Sequence, residues 1–255
     1  LVIGSMARGK YVLLLVLLHF LSHLSLLFRN EPKLWDLTYT ERRQHGLAHG
    51  VQNKKPFTAP PQGEQGSGEA IAESIDAAVG GICVPSAGFY GPGELYYWHL
   101  FGDHATAMGA EQYNPTVMKE LKKLKADRVV SRGDFYSVVY AEPGGYADGD
   151  TFANWNIVIS SSDPAQYVKE VARMSAAADE NGFSDIRFTV YTYLSGENAG
   201  KLMTVVEAPN GNRLGAMLDE LETDWASAIM GDMAKVRQYE HGFTMNCRVV
   251  YAAER

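Results

Sequence analysis

The sequence predicts an α+β fold built from tandem β-α-β units. Three observations carry that prediction. Over 152–251, strand-like runs of period two alternate with helix-like runs of period 3.6, in the order strand, helix, strand, strand, helix, strand. Over 94–141 a shorter stretch repeats the opening of that order: strand, helix, then a strand or hairpin. Ahead of both lie an uncharged apolar segment and a polar, proline-containing stretch.

The six-element order is the split β-α-β, ferredoxin-like pattern, an antiparallel sheet with both helices on one face. Its first strand, 152–160, alternates Ala153, Trp155, Ile157 and Ile159 with Asn154 and Asn156. A helix follows over 164–181. The next strand, 185–194, sets Ile186, Phe188 and Val190 against Arg187, Thr189, Tyr191 and Tyr193. The run SGENAGK (195–201) has the look of a phosphate loop. Its glycines are one residue too close, and Leu202 stands where Ser or Thr is needed, so it reads as a hairpin turn into a strand over 201–208. A helix over 213–239 and a strand over 243–251 complete the unit. In that last strand Phe243, Met245, Cys247 and Val249 oppose Thr244, Asn246 and Arg248. The apolar face of each strand is expected to pack on the helices, leaving a face rich in Asn, Arg, Thr and Tyr.

Residues 94–101 (ELYYWHLF) read as a strand, 104–125 as a helix interrupted by Pro115, and 128–130 with 134–141 as a hairpin or bulged strand around Gly133. Residues 71–80 are helix-forming and end at Gly80-Gly81. The predicted organisation is a remnant and hydrophobic segment (1–28), a flexible polar linker (29–90), a partial ferredoxin-like unit (91–148) and a full one (149–255). By element order over 94–251, the chain resembles the dimeric α/β-barrel superfamily, which includes small-molecule monooxygenases and stress-responsive barrel proteins. The resemblance implies two units with their sheets together, as a pseudo-dimeric α/β barrel.

The segment 11–28 is 18 residues without a charge, preceded by Arg8 and Lys10. That is the lower limit for crossing a bilayer, and no A-x-A site follows, so an uncleaved membrane anchor is expected rather than a cleaved signal. A membrane-anchored or exported protein follows, or a cytoplasmic one if 1–70 is a leader absent from the working protein. A net charge of −7 and the lack of a basic stripe argue against nucleic acid as a partner. Cys83 and Cys247 are too few for a disulfide framework and read as two buried free thiols, with a single pairing open if the chain is exported.

No G-x-S-x-G, H-E-x-x-H or C-x-x-C occurs, and neither a metal nor a cofactor is expected. His19 with His23, and His45 with His49, share a four-residue spacing but supply too few ligands for a metal. The polar sheet face nominates Asn154, Asn156, Arg187, Tyr191 and Asn246 as ligand-binding residues. His99 and His241 are the candidate bases. Two functions fit this pattern. One is a non-catalytic small-molecule-binding or assembly barrel, with a small organic ligand and a homo-oligomeric or pseudo-dimeric partner arrangement. The other is a cofactor-independent oxygenase or isomerase with its site in a barrel cavity.

Overall fold

The computed structural model describes residues 45–53, 64–88, 94–110, 114–123 and 128–253. The apolar segment 11–28 lies outside them. Among the described residues no helix is long and apolar enough to cross a membrane.

In chain order the elements are β1 (His45–Asn53), α1 (Glu64–Ser74), β2 (Val79–Ala87), β3 (Glu94–Phe101), α2 (His104–Gly109), α3 (Pro115–Lys123), β4 (Arg128–Ala141), β5 (Thr151–Ser161), α4 (Pro164–Glu180), β6 (Arg187–Tyr193), β7 (Leu202–Ala208), α5 (Gly211–Asp219), α6 (Asp224–Val236) and β8 (Arg237–Ala252). The strands close an antiparallel barrel in the order β1-β3-β2-β8-β5-β7-β6-β4. Read around the circle, β4-β1-β3-β2 and β8-β5-β7-β6 have the same internal order, each a β-α-β-β-α-β unit. The second strand of each unit pairs with the fourth strand of the other, at the β2–β8 and β6–β4 seams.

β1 and α1 complete the first unit from within the stretch expected to be a polar tether. The sequence of β1 (HGLAHGVQN) is poor in apolar residues. What places it is backbone pairing on both edges, to β3 and to β4, which satisfies its N–H and C=O groups without a hydrophobic pattern.

Local chemistry sets the helix boundaries. Asp163 caps α4 by accepting from Gln166 N at 3.0 Å, with Pro164 pre-set at the first helical position. Asn210 caps α5 through Arg213 N at 3.0 Å. Asp103 caps α2, and Asn114 accepts from Thr116 N as Pro115 opens α3, so Pro115 starts a second helix instead of bending one. The helix expected over 213–239 is two helices, because a 3₁₀ turn (Glu220–Glu222) runs into extended Thr223. β8 begins at Arg237, opposite Ser161, since the long β5 needs a partner to its end. The run 195–200 is a hairpin turn, with Gly196 and Gly200 at positive φ.

Alternation sorts the side chains into layers. Ile157, Ile159, Phe188, Val190 and Val206 face out and pack on Tyr167, Val171, Met174, Met217 and Ile229 of the helices. The barrel interior holds a second cluster, including Tyr96, Tyr136, Phe152, Met203, Val205, Phe243, Met245 and Cys247. A smaller cluster of Ala72, Ala77, Phe101 and Ala107 lies under the helices of the first unit. On β8 the expected facing is reversed: Phe243, Met245, Cys247 and Val249 point into the barrel. Thr244 meets Ser86 on the exposed outer side, and Asn246 is exposed. β8 forms the seam between the units; α1 covers the end of its outer face at Val250 but leaves the stretch at Thr244 and Asn246 open to solvent, so the apolar residues there go inward.

Cys83 and Cys247 stand directly opposite one another on β2 and β8 and form a disulfide. This corrects the free-thiol reading and joins the units covalently at one seam. Gly80 and Gly81 do not break a helix but lie in β2. A side chain on Gly81 would collide with the Trp98 indole, so the glycine lets the ring lie on the strand backbone. Gly81→Val is accordingly expected to cost about 1–3 kcal/mol by displacing the indole, read as a fall in thermal midpoint. An unchanged midpoint would show that Trp98 has room to move.

Candidate functional site

The barrel interior contains a cavity of about 90 Å³. Its wall is mostly aromatic: Tyr96, Trp98, Tyr136, Phe152, Tyr191 and Phe243, with Tyr146 from the β4–β5 loop across one end. These rings pack in series. Trp98 lies 5.7 Å from Tyr146 and 6.3 Å from Phe152, and Tyr146 lies 5.6 Å from Phe152. Tyr96 stacks on Phe243 at 5.6 Å. Trp98 Nε1–H is buried and has no acceptor among the described residues, an unusual state for an indole.

Besides His99, three polar side chains interrupt the aromatic wall. Asn154 and Asn156, two apart on β5, both face inward. Asn156 Nδ2 donates to Asn154 Oδ1 at 2.9 Å, and Asn154 Nδ2 donates to Cys247 Sγ at 3.5 Å. The third is Glu207, on the otherwise uncharged strand β7, register partner of both Asn154 and Arg187. Glu207 is 7 % exposed. It accepts from Tyr146 Oη at 2.8 Å through one oxygen and forms an ion pair with Arg187 through the other. Arg187 also donates to Gly145 O at 3.2 Å and lies 4.6 Å from the centroid of the Tyr146 ring. Its side chain is 32 % exposed at the mouth of the barrel, so Arg187, Glu207 and Tyr146 form one unit there.

Burial raises the Glu207 pKa above the ordinary carboxylate value, against the opposing pull of Arg187. Burial also raises Tyr191, and it raises Tyr146 with the neighbouring Glu207 charge adding to it, so both phenols are neutral hydrogen-bonding groups.

Of the residues nominated from sequence, Asn154, Asn156 and Tyr191 line the cavity. Arg187 stands at its mouth, paired with Glu207 and donating to Gly145 O. Asn246 is on the outer surface, for the reason given for β8. The alternation that turns Tyr96, Trp98 and Leu100 inward turns the His99 ring out under α1. There it packs beside Gly80 and Ala72, edge-on to Tyr97 at 4.5 Å. His241 is half-buried against Phe243 at 5.5 Å, beyond the residues that line the cavity. His99 is nonetheless among the residues that line the cavity, whereas His241 is not.

Glu207, Tyr146 and Trp98 are the site residues that sequence reasoning missed. Glu207 and Arg187 were within reach, since counting outward along both strands from the 195–200 turn pairs them. Tyr146 sits in a turn-rich connection with no period to mark it.

No family model matches the chain, and no curated protein matches it. Among solved structures, a candidate monooxygenase from Fusobacterium nucleatum is similar at 12% identity and a TM-score of 0.52, over 82% of this chain and 94% of that one. A dye-decolorizing protein from V. cholerae is similar at 11% identity and a TM-score of 0.52, over 82% and 94%. At these identities the likeness is one of fold: the chain has a ferredoxin-like α+β architecture, two such units closing one barrel.

Proposed function

We propose that the lumen binds a small neutral organic molecule, about the size of a single ring and carrying a carbonyl or hydroxyl oxygen. The observation that carries this reading is the aromatic cavity in the barrel interior, whose wall is broken by the Asn154–Asn156 amides and Glu207. Aromatic walls supply apolar contact and a few fixed polar groups orient the ligand, which is the usual composition of a small-molecule site. At about 90 Å³ the space is smaller than the roughly 150 Å³ in which benzene binds, so a single ring must also use the half-open mouth, and polycyclic ligands are excluded. The ring oxygen has two donors to meet, the second N–H of Asn156 and the indole N–H of Trp98. The same geometry weakens the assembly reading, because the polar sheet face of the second unit is covered by the first unit of its own chain.

Phenol is a fitting probe. Titration calorimetry is expected to give a dissociation constant on the order of 0.1–1 mM, as seven non-hydrogen atoms allow. Val205→Phe, which fills the cavity, should abolish that binding while the barrel still folds. No phenol binding to the parent, or equal binding to Val205→Phe, would overturn the reading.

A further inference from the structure

We propose that Glu207 is a general base that takes a proton from the carbon next to a carbonyl in the bound molecule, making the lumen a site of enolisation and isomerisation. The proposal rests on the lumen being a small-molecule site and goes beyond it by naming a reaction.

Four observations point to it. Glu207 is the carboxylate of the cavity wall, on a strand whose other residues are uncharged. Its partners do not exhaust it: Arg187 takes one lone pair of one oxygen and Tyr146 one lone pair of the other, of about four sites on a carboxylate. Asn156 lies diagonally across the strand pair from Glu207, given that Asn154 is the register partner of Glu207 and Asn156 that of Val205. Diagonal neighbours have backbones roughly 7–8 Å apart, and both side chains point into the lumen. That places the two groups on the same wall to bracket an O=C–C–H unit, its oxygen on the Asn156 N–H and its C–H toward Glu207, each contact about 3 Å long. Lastly, Trp98 Nε1–H, without an acceptor among the described residues, is a second donor in the same wall.

The electrons and protons balance without an oxidant. The Glu207 carboxylate accepts the proton. The C–H pair becomes the new C=C bond, and the carbonyl π pair moves to oxygen. The developing enolate oxygen is held by fixed N–H donors in a largely apolar, aromatic lumen. The Glu207 carboxylic acid then returns a proton to carbon or, through Tyr146 at the mouth, exchanges it with solvent. Arg187 and Tyr146 are positioning residues: they hold the carboxylate and keep its basicity in a usable range. The raised pKa of Glu207 agrees with this use, since a stronger base at the same position transfers the proton more readily.

The test uses cyclohexanone in D₂O, with loss of its α-hydrogen signal followed by proton NMR and its binding followed by saturation transfer in the same samples. The folded full chain is expected to accelerate exchange at least about ten-fold over buffer. Glu207→Gln keeps the shape, with its amide oxygen still accepting from Arg187 and its amide N–H now donating to Tyr146 Oη; it should return exchange to the buffer rate while cyclohexanone still binds. Tyr146→Phe should slow exchange and shift its pH profile. The parent profile should rise as Glu207 ionises, above the ordinary carboxylate range. This profile decides the matter if Glu207→Gln fails to fold. Binding without accelerated exchange, full exchange in Glu207→Gln, or a flat pH profile would overturn the proposal and leave the binding reading intact. Absence of binding would overturn both.

Discussion

Replacing Cys83 and Cys247 together by serine is expected to lower the unfolding free energy by about 3–5 kcal/mol. The two cysteines are 164 residues apart in sequence, so their bond closes a very long loop of the unfolded chain. Loop-closure entropy grows with the logarithm of loop length, which puts this bond at the upper end of the usual range. The bond also lies where the units meet, in the β2–β8 pair, so its loss frees one seam of the barrel to open. Serine is the suitable replacement, because its hydroxyl accepts the Asn154 hydrogen bond that Cys247 Sγ now takes. Urea denaturation of the oxidised protein, the dithiothreitol-treated protein and the double variant measures the effect. A loss below about 1 kcal/mol would mean that the seam is held by strand pairing and core packing alone.

Two adjacent residues of β6 should fail in different ways. Phe188 is 3 % exposed and packs between the sheet and the helices, so Phe188→Ala is expected to cost about 3–5 kcal/mol at any pH, from lost burial and the cavity left behind. Arg187 faces the other way. A position on a polar sheet face ordinarily tolerates truncation at about 1 kcal/mol or less, but this one neutralises a buried carboxylate. Arg187→Ala is therefore expected to cost about 2–4 kcal/mol near neutral pH. That is below the figure for a fully buried pair, because the arginine is partly solvated.

The pH dependence separates the two. In the parent, Glu207 has a raised folded pKa, so its contribution is fully present below the ordinary value of 4.5 and is lost as pH rises through the folded value. Removing Arg187 raises the folded pKa further and makes ionisation costlier. The Arg187→Ala penalty should thus grow with pH above 4.5 and shrink below it, where Glu207 is protonated in both proteins. The Phe188→Ala penalty should be level over the same window. Denaturant unfolding from pH 4 to 8 measures both, and a level penalty for Arg187→Ala would show that Glu207 does not depend on it.

Much of the second unit was legible in the amino acids alone, because its strands are half-buried and its helices amphipathic. Period two placed Asn154, Asn156 and Tyr191 on the face opposite Ile157, Phe188 and Val190, and that face is the lumen. Asp163-Pro164 and the glycines of 195–200 mark boundaries through local backbone chemistry, which needs no distant partner. Other features depended on what lies across a strand. β1 has no hydrophobic signature, because pairing on both edges holds it, and a hydrogen-bond ladder leaves no trace in side-chain pattern. The facing of β8 was inverted, since alternation gives two faces but not which is covered; that depended on closure of the barrel around it. Cys83 with Cys247 and Arg187 with Glu207 become partners through strand register, the first across a seam between units. Local sequence thus determined the elements and the composition of each face. Tertiary closure decided which face became the interior, which carboxylate it buried, and that Tyr146 would stand across its mouth, because burial and pairing are set by neighbours remote in the chain.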